Sequence, residues 1–514
     1  MKQLQTLSVV SPGFYGLNTQ ESGLTLSPNF SLEADNSIID KFGRFGSRKG
    51  WVMQTTNGAS ELSSNSISFL LEHINADNTS VILSGGNNKL FKNGTNSSDL
   101  VDITPASYTI TGNNWKGASI YDHAIMVQEG HEPVIYTESA TPAAQTITDL
   151  TTVTQSYGTS FPHDVIAAYG RFWTHDGNVV YWSTDIADTA FPAFNGGTSG
   201  TLNISAVVPN NVDKITALAA HNGFLIIFCE RSIVIYKGAE NPLGDFSLSD
   251  VIAGTGCIAR DSIQNTGNDL LFLSDLGVRS LGRVIQEKSL PMRELTKNVR
   301  DDLLTTLALE DLKLVRSVYS EVNAFYLLSF PSRKLVYCLD VRQALEDGSS
   351  RVSKWTEYQA TSFLRLLNRD LLIGKENGIG KYAGYTDNGE KYQLVYRSHF
   401  LDMGSATTLK ILKQLTTTVF GGSGQTFQIE VNFDYETAPR YFQYTIPESS
   451  NYYYGEAESE FGVAEFSAGI SLETIKASLG GSGNTIQLGF IADINGAALS
   501  VQKIDMFVKT GRMS

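Results

Sequence analysis

Between Ile215 and Gly238 the chain sets three apolar runs between two polar reversals. Ile215 to Ala220 ends at His221-Asn222-Gly223, where Asn and Gly supply the positive φ of a tight turn. Phe224 to Cys229 follows, long enough for a strand and short for a helix, then Glu230-Arg231-Ser232 and a last run, Ile233 to Tyr236. The pattern predicts an antiparallel meander. The same order of runs and turns can be laid over seven places, beginning near Ile67, Ile120, Val165, Ile215, Ile263, Val315 and Phe363. First turns fall at Asn78, His123, Gly170, Gly223, Gly267, Asn323 and Asn368, and the units close on Phe91, Tyr136, Trp182, Tyr236, Leu281, Tyr337 and Tyr382. Successive starts lie 45 to 53 residues apart, the period of propeller blades rather than of helical solenoids. The expected fold is therefore all-β: a β-propeller of six or seven blades over 61–385, six if the first or last unit is a supporting sheet. A set of stacked β-sandwiches is the rival.

Flanking segments read differently. Residues 1–60 are punctuated by Gly and Pro; Phe30 to Asp40 alternates like an extended strand, and Lys41 to Trp51 is basic and aromatic. That cluster fits either an anionic-ligand loop or a strand that docks on the first blade with Trp51 as anchor, and docking is the favoured reading. Glu294 to Leu309 places Leu295, Val299, Leu303 and Leu307 at four-residue steps and is the best helix candidate, packing outside the propeller or on a neighbour. From 391 to 514 the strands lengthen: Tyr392–Phe400, Leu409–Phe420, Thr426–Tyr435, Thr485–Ile491 and Leu499–Lys509, a C-terminal β-sandwich. Two near-copies, Gly421 to Ile429 and Gly480 to Leu488, read as its hairpin turns. Between them Tyr452-Tyr453-Tyr454 with Glu456, Glu458 and Glu460 forms an acidic aromatic loop suited to a partner.

Composition narrows the chemistry. The 514 residues call for two or three domains, and 41% hydrophobic with 18% charged and 46 Gly is the mixture of turn-rich β proteins. A net charge of −14 argues against a surface that holds nucleic-acid phosphates. Cys229, Cys257 and Cys338 have no framework spacing, which predicts neither disulfides nor a cysteine metal site, only buried thiols. No apolar run is long enough for a membrane span, and the first residues lack the apolar core of a secretory signal.

Catalytic, cofactor and metal residues are expected to be none. Gly254 to Ala259 matches G-x-G-x-x-G/A, but that pattern needs a strand before and a helix after, and Arg260 to Gly267 reads as strand and turn. The seven histidines show no metal-ligand spacing. The sharper rival is a glycan-active propeller enzyme: Thr174 to Trp182 is close to the Asp-box turn of sialidases, with its Gly one place early. A glycan-binding propeller adhesin is a third class.

Three segments resemble the tail hub, or nozzle, proteins of short-tailed bacteriophages, the group that includes packaged-DNA stabilisation proteins. They are Gly16 to Thr19 with Glu33 to Asp40 and Arg44 to Trp51; Gly256 to Ser262 leading to Phe272 to Arg279; and Ile486 to Leu488 with Lys503 to Phe507 and Gly511-Arg512. The resemblance implies a non-enzymatic virion protein assembled in the bacterial cytoplasm and forming a ring, six copies, below the portal and adaptor. Fibre, spike or needle proteins would be its other neighbours, and double-stranded DNA would pass through the lumen without specific binding. The N-terminal segment and the Tyr452–Glu460 loop are the expected contacts between copies.

Overall fold

The computed structural model describes residues 4–10, 15–23, 26–40, 42–55, 59–75, 77–94, 99–104, 108–137, 147–149, 161–208, 213–286, 294–436, 438–448 and 472–513. Within them the period resolves into a β-propeller. Six four-stranded blades are built on 69–102, 116–149, 164–203, 215–253, 316–355 and 362–382, and a three-stranded sheet, 264–280, stands between the fourth and the next. Neighbouring strands within every unit are antiparallel. First strands of successive units lie side by side around the axis: Phe69–Ile74 with Lys116–Ile120, then Asp164–Ala168 and Ile215–His221, and on the other side Gln264–Asn265, Arg316–Ser320 and Ser362–Arg365, which returns to Phe69–Ile74. The fourth blade meets the three-stranded sheet through its core, where the Phe228 and Phe272 rings lie 5.0 Å apart.

The last blade has only three strands of its own, and its fourth is Trp51–Met53, with Trp51 opposite Tyr382 and Met53 opposite Gly380. The basic and aromatic segment thus docks on the last blade, not the first. Closing a ring requires the final unit to be completed from elsewhere in the chain, and this strand does so. Its two arginines are spent internally. Arg48 is buried and bidentate to Asp387 at 2.8 and 2.7 Å, and Arg44 pairs with Asp40 at 2.8 Å while lying over the Phe420 ring.

The C-terminal strands form two packed sheets, and the N-terminal segment is woven into both. Leu4–Val10 pairs with Leu499–Met513, which also holds Thr408–Gly421 and, at one end, Phe45–Ser47. In the other sheet Phe30–Asp35 is inserted between Arg351–Trp355, the outer strand of a blade, and Tyr392–Ser398. One sheet therefore runs without a break from the propeller axis to Arg440–Thr445. A single apolar core follows it, from Leu273 and Tyr326 through Ala34 and Tyr396 to Phe490 and Val508.

The two Gly-rich near-copies are not hairpin turns. Each carries the chain from one sheet to the other, Gly421 to Thr426 and Gly483 to Ile486. Glycine is needed where sheets approach: a Cβ on Gly422 would lie 2.7 Å from Ile446 and Leu499, and one on Gly481 2.3 Å from Phe433. The helix expected over 294–309 is a 3-10 turn, Lys297–Val299, followed by Arg300–Leu307, with Leu295, Val299 and Leu303 in the shared core.

Candidate functional site

The charged residues that come together do so at the end of the axis where the first strands begin. The G-x-G-x-x-A stretch is what delivers them. It crosses from the fourth blade into the ring, and Gly256 is forced by contact, since a Cβ there would lie 2.1 Å from the Cys229 carbonyl oxygen. A single 3-10 turn, Arg260–Ser262, follows instead of a helix, so nothing here presents a helix N-terminus to a pyrophosphate. Ser262 fixes the turn: its hydroxyl donates to Ala259 O at 2.7 Å and accepts from the Leu273 N–H at 3.1 Å, and Tyr326 donates to Ser262 O at 2.7 Å. Arg260 and Asp261 are thereby aimed at the axis.

Asp261 accepts from Lys116 at 2.9 Å and Arg260 at 2.7 Å, and Arg316 lies 3.2 Å away. Asn114 Oδ1 accepts from both Arg260 and Arg316 at 2.9 Å. Arg260 also donates to the His163 carbonyl, and Arg316 donates to Lys313 O at 2.6 Å and to Ser68 O at 3.4 Å. Beside them Asp164 accepts from the Leu218 N–H at 2.7 Å, tying the third unit to the fourth. Thr361 and Ser362 donate to Ile67 O, so the last blade joins the first. Polar bonds at this end of the axis thus reach every unit, a staple centred on Asp261 and Asn114.

Electrostatics follow from this packing. Burial alone would raise the Asp261 carboxyl, but Arg260, Lys116 and Arg316 overcome it and hold it well below the usual carboxylate range. Asp164, fully enclosed, is pushed up by burial against the pull of Lys116 and Arg260. His163 is pushed down by burial and then by Arg260, and His175, in edge contact with it at 4.6 Å, lies well below its ordinary value for the same first reason. Outside the staple a cavity of about 240 Å³ opens, with Glu129 and Lys313 paired across it at 2.5 Å. An acid held ionised by three cations, and guanidinium groups spent on carbonyl, amide and carboxylate oxygens, make a clamp rather than a proton-transfer pair.

The other sequence candidates fall elsewhere. Thr174 to Trp182 is the hairpin between Arg171–Asp176 and Val179–Trp182, with His175 and Asp176 buried. Cys229, Cys257 and Cys338 are free, buried thiols, and burial pushes Cys229 up to about 12 and Cys257 up to about 11. The Tyr452–Glu460 loop lies outside the described residues. Among the described residues no three His, Cys, Asp or Glu side chains are grouped to hold a metal, and no helix is long and apolar enough to cross a membrane. Sequence reading passed over the staple, although a signal exists: Lys116, Asp164 and Arg316 each open the first strand of a repeat, where an apolar run would otherwise begin.

Neither a protein-family model nor a curated protein matches the chain. Among solved structures, YCF48 bound to D1 peptide is similar at 10% identity and a TM-score of 0.39, covering 66% of this chain and 98% of that one. The Pan2 WD40 domain of Neurospora crassa is similar at 8% identity and a TM-score of 0.36, covering 66% and 97%. The extracellular domain of the putative one component system BT4673 from B. thetaiotaomicron is similar at 11% identity and a TM-score of 0.41, covering 84% and 60%. The likeness is one of fold, a β-propeller.

Proposed function

We propose that this chain is a structural, non-catalytic subunit of a short-tailed bacteriophage virion, the hub or nozzle ring through which DNA passes below the portal and adaptor. The observation that carries the reading is mechanical. One core and one continuous sheet join the propeller to a two-sheet platform knitted from both ends of the sequence, and the axis is clamped by charges that leave no poised acid–base pair. That is a rigid body suited to bearing load between neighbours. The segment resemblance supplies the setting, and six copies in a closed ring, each flank meeting the opposite flank of the next, is the assembly it favours. The net charge of −14 suits a lumen from which phosphates are repelled.

Electron microscopy of purified particles with a tag on this chain tests the reading. Label at the tail vertex in a closed ring is the expected result; label on isolated monomers or on the bacterial surface overturns it and favours a glycan-binding adhesin. Release of sugar from sialylated substrate, abolished by Asp176→Asn, would instead establish the glycan-active reading.

A further inference from the structure

A second cavity, of about 350 Å³, lies far from the axial staple, between the N-terminal segment and the loop joining the third and fourth strands of the 316–355 blade. Its floor is apolar. Tyr15 and Phe30 meet edge to face at 5.4 Å, and Leu345 closes the other side. Its rim is acidic, carrying Glu21, Glu346 and Asp347.

The walls are held in place by the fold. Buried Asn18 accepts from the Gln20 and Glu21 N–H groups at 3.0 and 3.2 Å, and the Thr19 N–H donates to Asn298 O at 2.9 Å, which fixes the bend bearing Glu21. On the opposite side Asn298 donates to the Ser349 hydroxyl at 2.9 Å, Ser349 to Asp347 at 2.7 Å, and the Leu345 N–H to Ser349 O at 2.8 Å. Charge in the pocket is unbalanced. Asp347 is paired with Lys297 at 3.1 Å, and the buried lining cation Arg351, 3.8 Å from Asp340, shares that carboxylate with Arg342, which pairs with it at 2.8 Å. Glu21 and Glu346 have no ion pair among the described residues.

We infer that this pocket binds the guanidinium of an arginine presented by another protein. A planar cation with an apolar stem matches both parts of the site: the stem and π-face lie against Tyr15 and Phe30, and the N–H fork meets the two rim carboxylates. A phosphate or sugar acid would have only Arg351 to meet against the two unpaired rim carboxylates, and an apolar ligand would use the floor and leave the rim to water. The inference does not depend on the virion reading.

The test uses the full chain and a fluorescein-labelled Gly-Arg-Gly-Arg-Gly peptide, followed by fluorescence anisotropy at low salt. A peptide with citrulline at both arginines keeps the shape and removes the charge. The arginine peptide binds and the citrulline peptide does not. Glu21→Gln with Glu346→Gln weakens binding about tenfold, and Tyr15→Ser weakens it with no change of charge. Glu230→Gln with Glu357→Gln removes the same charge from distant surface positions and leaves binding unchanged. Equal weakening in that control pair would reduce the effect to diffuse attraction by an acidic chain and overturn the proposal. So would wild-type binding in the Glu21/Glu346 variant, whose two side chains lie at the surface, or failure of the arginine peptide to bind.

Discussion

Asp261 is the shared acceptor of three cations, so removing it should cost more than removing any one of them. Asp261→Asn leaves Lys116, Arg260 and Arg316 facing one another without a counter-charge, and we expect a loss of about 3–5 kcal/mol in denaturant unfolding. Lys116→Met removes a partner that is part exposed and should cost about 1 kcal/mol or less. The pH dependence has a fixed sign. Because the folded-state carboxyl is held below its ordinary value, its contribution is present above the unfolded carboxylate pKa and is lost as pH falls below it. Asp261→Asn should therefore flatten the acid limb of the stability profile; an unchanged acid limb would remove Asp261 from the staple. Lys375 behaves oppositely. Burial pushes its amine down to about 7 from an ordinary 10.5, with Asp387 opposing and Arg48 assisting. The folded chain gives up this proton near pH 7 while the unfolded chain keeps it to 10.5, so this group makes stability rise with pH between the two. Over the two units from pH 7 to 9 that is at most about 2.7 kcal/mol, and Lys375→Met should abolish the rise. Urea midpoints at both pH values for wild type and variant measure it.

At the scale of elements, the repeats were legible because each inner strand is short, apolar and stopped by a turn residue. The readings of Val165, Ile215 and Ile263 fall within a residue of strands that begin at Asp164, Ile215 and Gln264. The second unit begins before the Ile120 that the pattern suggests. Its inner strand is Lys116–Ile120, and its turn puts Tyr121 at positive φ (57°), which neither Gly nor Asn announces. Ring closure and the staple were not legible for one reason: both join residues distant in sequence, Trp51 to Tyr382 and Asn114 to Arg316, and periodicity holds no record of such pairs. The crossovers are hidden in the sequence because a Gly-rich link looks alike whether it reverses within a sheet or steps between two. The closing strand carries its own prediction. Trp51 lies against Lys375, whose ammonium is 4.5 Å from the indole, and packs so closely on Gly380 that a Cβ there would come within 2.8 Å. Trp51→Ala should cost about 2 kcal/mol. Its signature is local: hydrogen exchange should speed in 371–382 and not in 215–253. Uniform loss of protection in both would mean that the strand does not act as a latch on one blade.

On the scale of the whole molecule, the question is whether propeller and platform unfold together. The strand Phe30–Asp35 lies between them, pairing with Lys354 on one side and with Val395 to Ser398 on the other, and residues from both bodies share one core. Separate unfolding would expose that core and open the ladder, so we expect a single cooperative transition. Asp35 lies on this seam and allows the idea to be tested. Burial, with Glu33 and Asp302 adding to it, pushes its carboxyl up to about 6 from 3.8, against the pull of Lys354 and Arg397. The folded chain therefore keeps a proton that the unfolded chain has released between those values. Stability falls as pH rises through that window, and the full cost stands at pH 7. Asp35→Asn should remove it, raising stability at pH 7 by up to about 3 kcal/mol, with no gain near pH 4. Calorimetry reads both features at once. If the two bodies form one unit, the substitution moves one endotherm upward without splitting it. Two endotherms, of which only one responds to Asp35→Asn, would show that the shared sheet is a contact between independent domains, and the rigid-body argument for a ring subunit would fall with it.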